Sequence, residues 1–225
     1  MKQKIIILGG KGTAVNIAEG IWDAEHNFGM KVECLGFAFD DDSFGNEING
    51  FPILCKTNEV FMKFGKMNDV KFLFQMNNPN KMIERSQLIK SYSIPDNKWA
   101  NFIHPSAFVS KSVKMGVGNV VFVNCAIHSN AIIGNHCTIL AQTTIGHDTV
   151  LNDSVFMATH VCIGSNVYLK SNIFMGQNSA VRDKISICEN TIIGLGSSVV
   201  KNIEEPNMIY LGNPSKPQKN IINKI

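Results

Sequence analysis

The adjacent pair His147 and Asp148 is the clearest candidate for chemistry in this sequence. An imidazole titrates near neutral pH, so it can take up and return a proton under working conditions. A neighbouring carboxylate can fix the tautomer of the ring and stabilise the imidazolium that forms. The pair predicts general-base chemistry, although a histidine on a protein surface often has no catalytic role.

A second candidate site lies near the N-terminus, where Gly9, Gly10, Lys11, Gly12 and Thr13 follow an apolar run and precede a helical pattern. Free backbone N–H groups at the start of a helix can hold a phosphate. The turn is not a complete dinucleotide fingerprint, because no third glycine stands at the expected position. A glycine turn can also serve only to let a strand and a helix pack closely.

An acidic cluster, Asp40, Asp41 and Asp42, ends the second predicted strand, Val32–Phe39. Carboxylates at a strand end can accept hydrogen bonds from the hydroxyls of a ribose or from a base. The alternative is a solvated acidic loop, which is the usual place for such residues.

Strands alternating with helices are expected to position both features of the N-terminal half. Ile5–Leu8, Val32–Phe39 and Val70–Gln75 have the apolar runs of strands, and Lys81–Tyr92 has a helical pattern. This alternation predicts a small Rossmann-like α/β domain with a parallel sheet over residues 1–98. A turn is expected at Gly50-Phe51-Pro52 before Ile53-Leu54, and the domain boundary near Pro95-Asp96-Asn97 and Trp99.

A six-residue repeat organises the rest of the chain, residues 99–225. From Ile103 to Val199, every sixth residue is Ile, Leu, Val or Met for 17 consecutive positions, and the residue four places later is small or β-branched except at Asn119. A short period sustained this long predicts a solenoid, here a parallel β-helix from Ile103 to about Glu204 with three hexapeptides per coil. Each strand is expected to pair with its equivalent 18 residues away.

The repeat also predicts which residues form corners and which face outward. Glycine stands one place after six of the apolar positions and asparagine three places after seven of them, and both residues tolerate left-handed backbone. His147 falls on an outward position, and Asp148 on the slot where asparagine dominates, so a turn-forming role for Asp148 stays open. Val117, Val123 and Leu195 are expected to point outward, which favours a partner chain.

Bulk properties exclude several classes of function. The net charge is only +3 and no Lys/Arg run stands out, which argues against nucleic-acid binding. No apolar stretch is long enough for a signal peptide or a membrane span. The six cysteines contain no CxxC pair, so we expect reduced thiols in a cytoplasmic protein.

Two other chemistries have weak support. The histidines from His104 to His160 are separated by 24, 8, 11 and 13 residues, a spacing without the close pairs of a zinc site, so no metal is expected. Cys162 could act as an acyl-accepting nucleophile, but no base is marked beside it.

The order of motifs resembles the bacterial nucleotide-sugar acyltransferases related to sialic-acid O-acetyltransferase and bacillosamine-type amino-sugar N-acetyltransferase. The resemblance covers nearly the whole chain. It is carried by IILGGKG (6–12), GFAFDDD (36–42), FIHPSAFV (102–109), IGHD (145–148), GQNSAV (176–181), IGLGSSVV (193–200) and LGNPSK (211–216).

The resemblance implies a left-handed β-helix that forms homotrimers, with acetyl-CoA between adjacent β-helices and a nucleotide-linked sugar on the N-terminal domain. It implies that His147 is the general base and Asp148 its orienting carboxylate. The nucleotide sugar would bind at Gly9, Gly10, Lys11, Gly12, Thr13, Asp40, Asp41 and Asp42, and acetyl-CoA at Phe156, His160, Ser165, Gln177, Leu195, Pro214 and Lys216. Thr13 and Phe156 stand where members often have histidine.

The expected function is acetyl transfer from acetyl-CoA to the amine of a UDP- or dTDP-linked amino sugar, such as a 4-amino-4,6-dideoxy hexose, for surface-glycan synthesis. Two alternatives remain open from the sequence. One is O-acetylation of a sugar hydroxyl by the same base, and the other is a non-catalytic scaffold that binds nucleotide sugars.

Overall fold

The computed structural model describes residues 2–220, with side chains to residue 218, and its N-terminal part is an α/β unit. The sheet order is β3-β4-β2-β1-β5, with β3 antiparallel to β4 and the other pairs parallel. This arrangement confirms the predicted Rossmann-like fold. The elements are β1 (Gln3–Leu8), α1 (Thr13–His26), β2 (Val32–Ala38), β3 (Glu47–Ile48), β4 (Phe51–Cys55), α2 (Val60–Phe64), β5 (Val70–Phe74) and α3 (Met82–Ser91).

Both faces of this sheet are covered, which explains the continuous apolar run of β1. Ile5 and Ile7 pack on α1, whereas Ile6 and Leu8 belong to a cluster that includes residues of α2 and α3.

The predicted position of the turn at Gly50-Phe51-Pro52 is wrong. Asn49 and Gly50 adopt the left-handed backbone, at φ 50° and 79°, and β4 already begins at Phe51.

A parallel β-helix follows, with two-residue strands repeating every six residues on three faces. Ile127 pairs with Ile145, and Ile145 with Ile163, so successive coils are 18 residues apart as predicted. The first face contains β6 (Phe102–Ile103), β9 (Val120–Val121), β12 (Thr138–Ile139), β15 (Phe156–Met157), β18 (Phe174–Met175) and β21 (Ile192–Ile193). The second face contains β7 (Phe108–Val109), β10 (Ala126–Ile127), β13 (Thr144–Ile145), β16 (Cys162–Ile163), β19 (Ala180–Val181) and β22 (Ser198–Val199). The third face contains β8 (Lys114–Met115), β11 (Ile132–Ile133), β14 (Val150–Leu151), β17 (Tyr168–Leu169) and β20 (Ser186–Ile187).

Asparagine and glycine recur near the corners between faces for different physical reasons. Corner residues such as Asn130, Asp148 and Asn166 have φ between 57° and 60°, as predicted for the asparagine slot. The recurring glycines have a different reason: a Cβ on Gly146 would lie 2.5 Å from the carbonyl carbon of Gly164 in the next coil. Close stacking of coils, rather than left-handed backbone, therefore requires glycine there.

Asn119, the exception in the inward pattern, is fully buried and satisfied by backbone groups. Its Nδ2 donates to the carbonyl of Gly134 at 2.9 Å, and its Oδ1 accepts from the N–H of Cys137 at 2.7 Å. A buried amide with both ends bonded avoids the cost of an unpaired polar group.

A hairpin that the sequence did not predict closes the C-terminal end of the solenoid. β23 (Met208–Leu211) lies parallel to β21, and β24 (Lys216–Asn220) turns back antiparallel to it. Tyr210 joins the hydrophobic core of the solenoid and covers its last coil.

The α/β unit packs on the first face of the β-helix. Ser86 on α3 hydrogen-bonds Asn172, and Gln75 contacts Thr138 of β12 at 3.2 Å. Val117, expected to point outward, instead packs against the core of the α/β unit, because α/β side chains cover that corner. The division of the chain after residue 98 stays a prediction. Among residues 2–220, no helix combines the length and apolar character that crossing a membrane requires.

Candidate functional site

His147 and Asp148 lie at the corner between the second and third faces, between β13 and β14. His147 Nδ1 and Asp148 Oδ2 are 2.6 Å apart, and the two side chains are 53% and 45% exposed. The Nε2 atom has no hydrogen-bond partner in the described part of the chain. The ring therefore presents one free nitrogen to solvent while the carboxylate holds the other.

Asp148 serves both as a corner residue and as the partner of the imidazole. Its backbone N–H donates to the carbonyl of Ser129, and its Oδ1 accepts from Asn130 Nδ2 at 3.0 Å. The hydrogen bonds from His147 and then Asn130 lower the pKa of Asp148 below its usual value. The carboxylate is thus ionised at neutral pH, as an orienting partner must be.

His104 and His160, two other histidines of the β-helix, do not join this pair. His104 is buried between Asp23, at 2.9 Å, and Ser106, at 2.8 Å, where it ties α1 to the solenoid. His160 lies at a different corner, between the first and second faces. Within residues 2–220, no cluster of three His, Cys, Asp or Glu side chains is placed to hold a metal ion.

His136 lies at the corner between the third and first faces, where the α/β unit contacts the β-helix. Its ring packs edge-on against Trp99, with ring centroids 4.8 Å apart. Burial and then the nearby Arg85 lower its pKa from 6.5 to about 4. Between these values the unfolded chain binds a proton that the folded chain does not, so stability falls as pH falls. We expect His136 to remove about 2 kcal/mol of stability between pH 6.5 and pH 4.

Replacing His136 by Asn, a residue suited to its φ of 55°, is expected to flatten this part of the stability curve. Denaturant unfolding at several pH values measures the effect. His160→Asn, an exposed histidine in the equivalent backbone conformation (φ 62°), is the matched control. An unchanged slope for His136→Asn would show that other groups cause the pH dependence.

The glycine turn at the end of β1 forms one wall of a cleft of about 360 Å³ at the carboxyl edge of the sheet. A Cβ on Gly10 would lie 2.6 Å from the ring of Phe39, and Gly9 and Gly12 have φ of 127° and 52°. The N-terminus of α1 has no side-chain cap. The N–H groups of Ala14 and Val15 donate to the carbonyls of Lys11 and Gly12, whereas that of Thr13 has no partner among the described residues and is available to an anionic ligand.

The other wall of the cleft comes from residues that sequence reasoning missed. Gln75, Asn77 and Asn78 follow β5, and Arg85 and Leu88 lie on α3. The signal that could have found them is topological, because ligands of open α/β sheets bind outside the carboxyl ends of neighbouring strands.

The acidic cluster divides into three environments. Asp41 pairs with Lys11 Nζ at 2.6 Å, and this contact lowers the pKa of Asp41 to about 2. Asp40 accepts both the N–H and the hydroxyl of Thr57, so its two oxygens are engaged within the fold. Asp42 is exposed and pairs with Lys56. Asp41 is thus the member linked to the glycine turn.

The residues expected to contact acetyl-CoA lie in several places on one chain. Ser165 stacks one coil from His147 at the same corner. His160, Gln177 and Leu195 share the corner between the first and second faces, and Pro214 and Lys216 lie at the C-terminal hairpin. Phe156 is only 5% exposed and stacks on Phe174 under α3, at a centroid distance of 5.0 Å. A single chain therefore does not gather this set into one site.

Residues 98–209 match the family model described as the GMPPB C-terminal domain. Several solved structures share the fold over nearly the whole chain. The GDP-perosamine N-acetyltransferase PerB from Caulobacter crescentus, solved with CoA and GDP-perosamine, is 22% identical, covering 96% of this chain and 97% of that one at a TM-score of 0.78. The acetyltransferase domain of PglB from Neisseria gonorrhoeae is also 22% identical, covering 96% and 100% at 0.81. WeeI from Acinetobacter baumannii is 18% identical over 96% and 100% at 0.75.

Similarity to curated sequences is shorter. An acyl-[acyl-carrier-protein]–UDP-N-acetylglucosamine O-acyltransferase from Brucella ovis is 37% identical over 59 residues, which are 26% of this chain and 21% of that protein. The match spans about a fifth of the length of these relatives. The structural likeness confirms the predicted fold, an α/β domain followed by a left-handed parallel β-helix of hexapeptide repeats.

Proposed function

We propose that this chain, which has the two-domain fold of the hexapeptide-repeat sugar N-acetyltransferases, transfers acetyl from acetyl-CoA to the amino group of a nucleotide-linked amino sugar. The observation that carries the proposal is the 2.6 Å contact between His147 Nδ1 and Asp148, which leaves Nε2 free at an exposed corner. The structural neighbours PerB and PglB were solved with CoA and GDP-perosamine or with acetyl-CoA, which supports the choice of substrates.

In this proposal His147 Nε2 removes a proton from the substrate nitrogen as that nitrogen attacks the thioester carbonyl. A carbon–nitrogen bond forms, the carbon–sulfur bond of the tetrahedral intermediate breaks, and the imidazolium returns the proton to the CoA thiolate. Asp148 keeps Nδ1 protonated and stabilises the imidazolium. No covalent intermediate with the protein is needed.

The cleft beside Gly9, Gly10, Lys11, Gly12 and Thr13 is the proposed nucleotide-sugar site, with Asp41 at its edge. The unpaired N–H of Thr13 at the start of α1 and the nearby Lys11, which is paired with Asp41, suit a diphosphate. Asp40 has a structural role through Thr57, so its contribution to binding would be indirect.

We propose that the active site forms between two chains of a homotrimer. The α/β unit covers the first face of its own β-helix, whereas His147 lies at the corner between the other two faces. A sugar held in the cleft of one chain is therefore positioned for the His147 of a neighbouring chain. The same assembly would bring the separate groups around Ser165 and around His160, Gln177 and Leu195 to a shared acetyl-CoA.

Mixing two inactive variants tests this arrangement. Thr13→Asp places a carboxylate in the first turn of α1, at a position with helical backbone, and should block binding of a diphosphate. His147→Ala removes the base. Co-refolded mixtures are expected to recover part of the activity, because some interfaces then combine an intact cleft with an intact His147. Mixtures as inactive as the parents would place the whole site within one chain.

The function itself is tested by release of free thiol from acetyl-CoA with a panel of UDP-, dTDP- and GDP-linked amino sugars. We expect turnover with one acceptor and none with acetyl-CoA alone. A protein that binds nucleotide sugars but releases no thiol with any acceptor would refute the proposal. The expected setting is the cytoplasm, with the product entering surface-glycan assembly.

A further inference from the structure

Arg85 is a buried cation with unused hydrogen-bonding capacity. Its side chain is 4% exposed, and its Nη2 donates to the backbone carbonyl of His136 at 3.1 Å. The Nε and Nη1 atoms are also buried, and neither has a hydrogen-bond acceptor among the described residues. Buried guanidinium groups normally have all their N–H donors bonded, because an unpaired one is costly.

The charge of Arg85 is not neutralised within the fold. The guanidinium also contacts the ring of Phe74, 5.3 Å from its centroid, and no carboxylate within residues 2–218 is paired with it. Burial lowers the pKa of Arg85 to about 10, so the side chain remains protonated at neutral pH. The fold thus maintains a desolvated positive charge with no counter-ion.

This charge belongs to the wall of the same cleft as Gly10 and Lys11. The other two cations of the cleft already have partners: Lys11 pairs with Asp41, and Lys81 with Glu84 at 3.0 Å. Arg85 therefore gives the cleft an excess positive charge opposite the uncapped N-terminus of α1. Asn77 adds a buried Oδ1 without a hydrogen-bond donor, so this wall offers both donors and an acceptor to a ligand.

We propose that Arg85 binds the diphosphate of the nucleotide-linked substrate, across the cleft from the glycine turn. A planar guanidinium with two free N–H groups suits bidentate contact with phosphate oxygens. Because the group is already desolvated, its attraction for an anion is stronger than that of an exposed lysine. The inference rests on the proposed function only for the class of substrate, and not on acetyl transfer.

Calorimetric titration of the full chain with UDP, dTDP and GDP, each beside its nucleoside and beside inorganic pyrophosphate, tests the assignment. Arg85→Met is expected to weaken binding of the preferred nucleoside diphosphate by 10-fold or more and to leave nucleoside binding within two-fold. Arg85→Lys keeps the charge but loses the planar fork, so its affinity for the nucleoside diphosphate should lie between those of wild type and Arg85→Met. The matched control is Arg182→Met, which replaces the only other arginine, an exposed one.

Equal weakening of nucleoside and diphosphate, or no weakening, would show that Arg85 only ties α3 to the β-helix through His136. If Arg85→Met does not fold, the same comparison is made with Arg85→Lys, and a diphosphate affinity equal to wild type would overturn the assignment. A wild-type chain that binds no nucleoside diphosphate would also overturn it. Diphosphate binding that depends on Arg85, in a protein that releases no thiol, would uphold this inference and refute the proposed function.

Discussion

Replacing His147 by alanine is expected to lower kcat for acetyl transfer by about 100- to 10,000-fold. The free Nε2 is the only proton acceptor that the fold presents beside an orienting carboxylate on the described β-helix corners. Binding of CoA and of the nucleotide sugar should stay within about two-fold of wild type. Loss of an exposed ring should not disturb the fold that forms the two binding sites. Steady-state thiol release and equilibrium titration measure the two quantities separately.

The matched control for His147 is His128→Ala, an exposed histidine on the preceding coil. It should retain activity within about two-fold. A His147→Ala protein with wild-type kcat would assign this histidine to the surface and remove the proposed mechanism. Equal losses in both variants would indicate a disturbed solenoid rather than a missing base.

Replacing Asp148 by asparagine is expected to lower kcat by about 10- to 1,000-fold while leaving the fold intact. Asn130 and Asn166 occupy the same slot one coil away with nearly the same φ, so an asparagine at 148 keeps the corner. It loses the negative charge that holds the proton on Nδ1 and stabilises the imidazolium. The variant thus separates the electrostatic role from the turn-forming role.

Asp148→Ala completes the comparison, because alanine disfavours the left-handed backbone by roughly 1–2 kcal/mol. Denaturant unfolding should show reduced stability for the alanine variant and near wild-type stability for the asparagine variant. Full activity in Asp148→Asn would mean that the residue only forms the turn. Unchanged stability in Asp148→Ala would mean that the corner does not depend on it.

The solenoid was predictable in detail because its period is local and strict. The same class of side chain recurs at Ile127, Ile145 and Ile163, and the register follows from the period alone. The reason for the glycines was not predictable. A Cβ on Gly146 is excluded by the backbone of Gly164, and this contact exists only once the coils stack.

Contacts between distant segments account for most of what the sequence did not reveal. Val117 occupies an outward position of the repeat, but the α/β unit covers it. The C-terminal hairpin has no six-residue period, and its strand β23 forms by pairing with β21.

The candidate site was predictable where residues are adjacent in sequence and not where the fold brings them together. His147 and Asp148 stand side by side, so their contact could be anticipated. Arg85 looks like an ordinary polar residue of a helix, and only its burial without a counter-ion distinguishes it. Asp40 shows a different limit of the sequence: Thr57 engages its carboxylate within the fold, and its place in the nucleotide-sugar site stays a prediction.

The most direct test of the proposed function is to identify the acetylated atom in the product. The wild-type chain would be supplied with acetyl-CoA and a matched pair of nucleotide sugars that differ only in carrying an amine or a hydroxyl at one carbon, and the products analysed by mass spectrometry and NMR. The account predicts an acetamide from the amino sugar and at most trace product from its hydroxyl counterpart. An ester on the hydroxyl sugar, with the amine left unmodified, would contradict it.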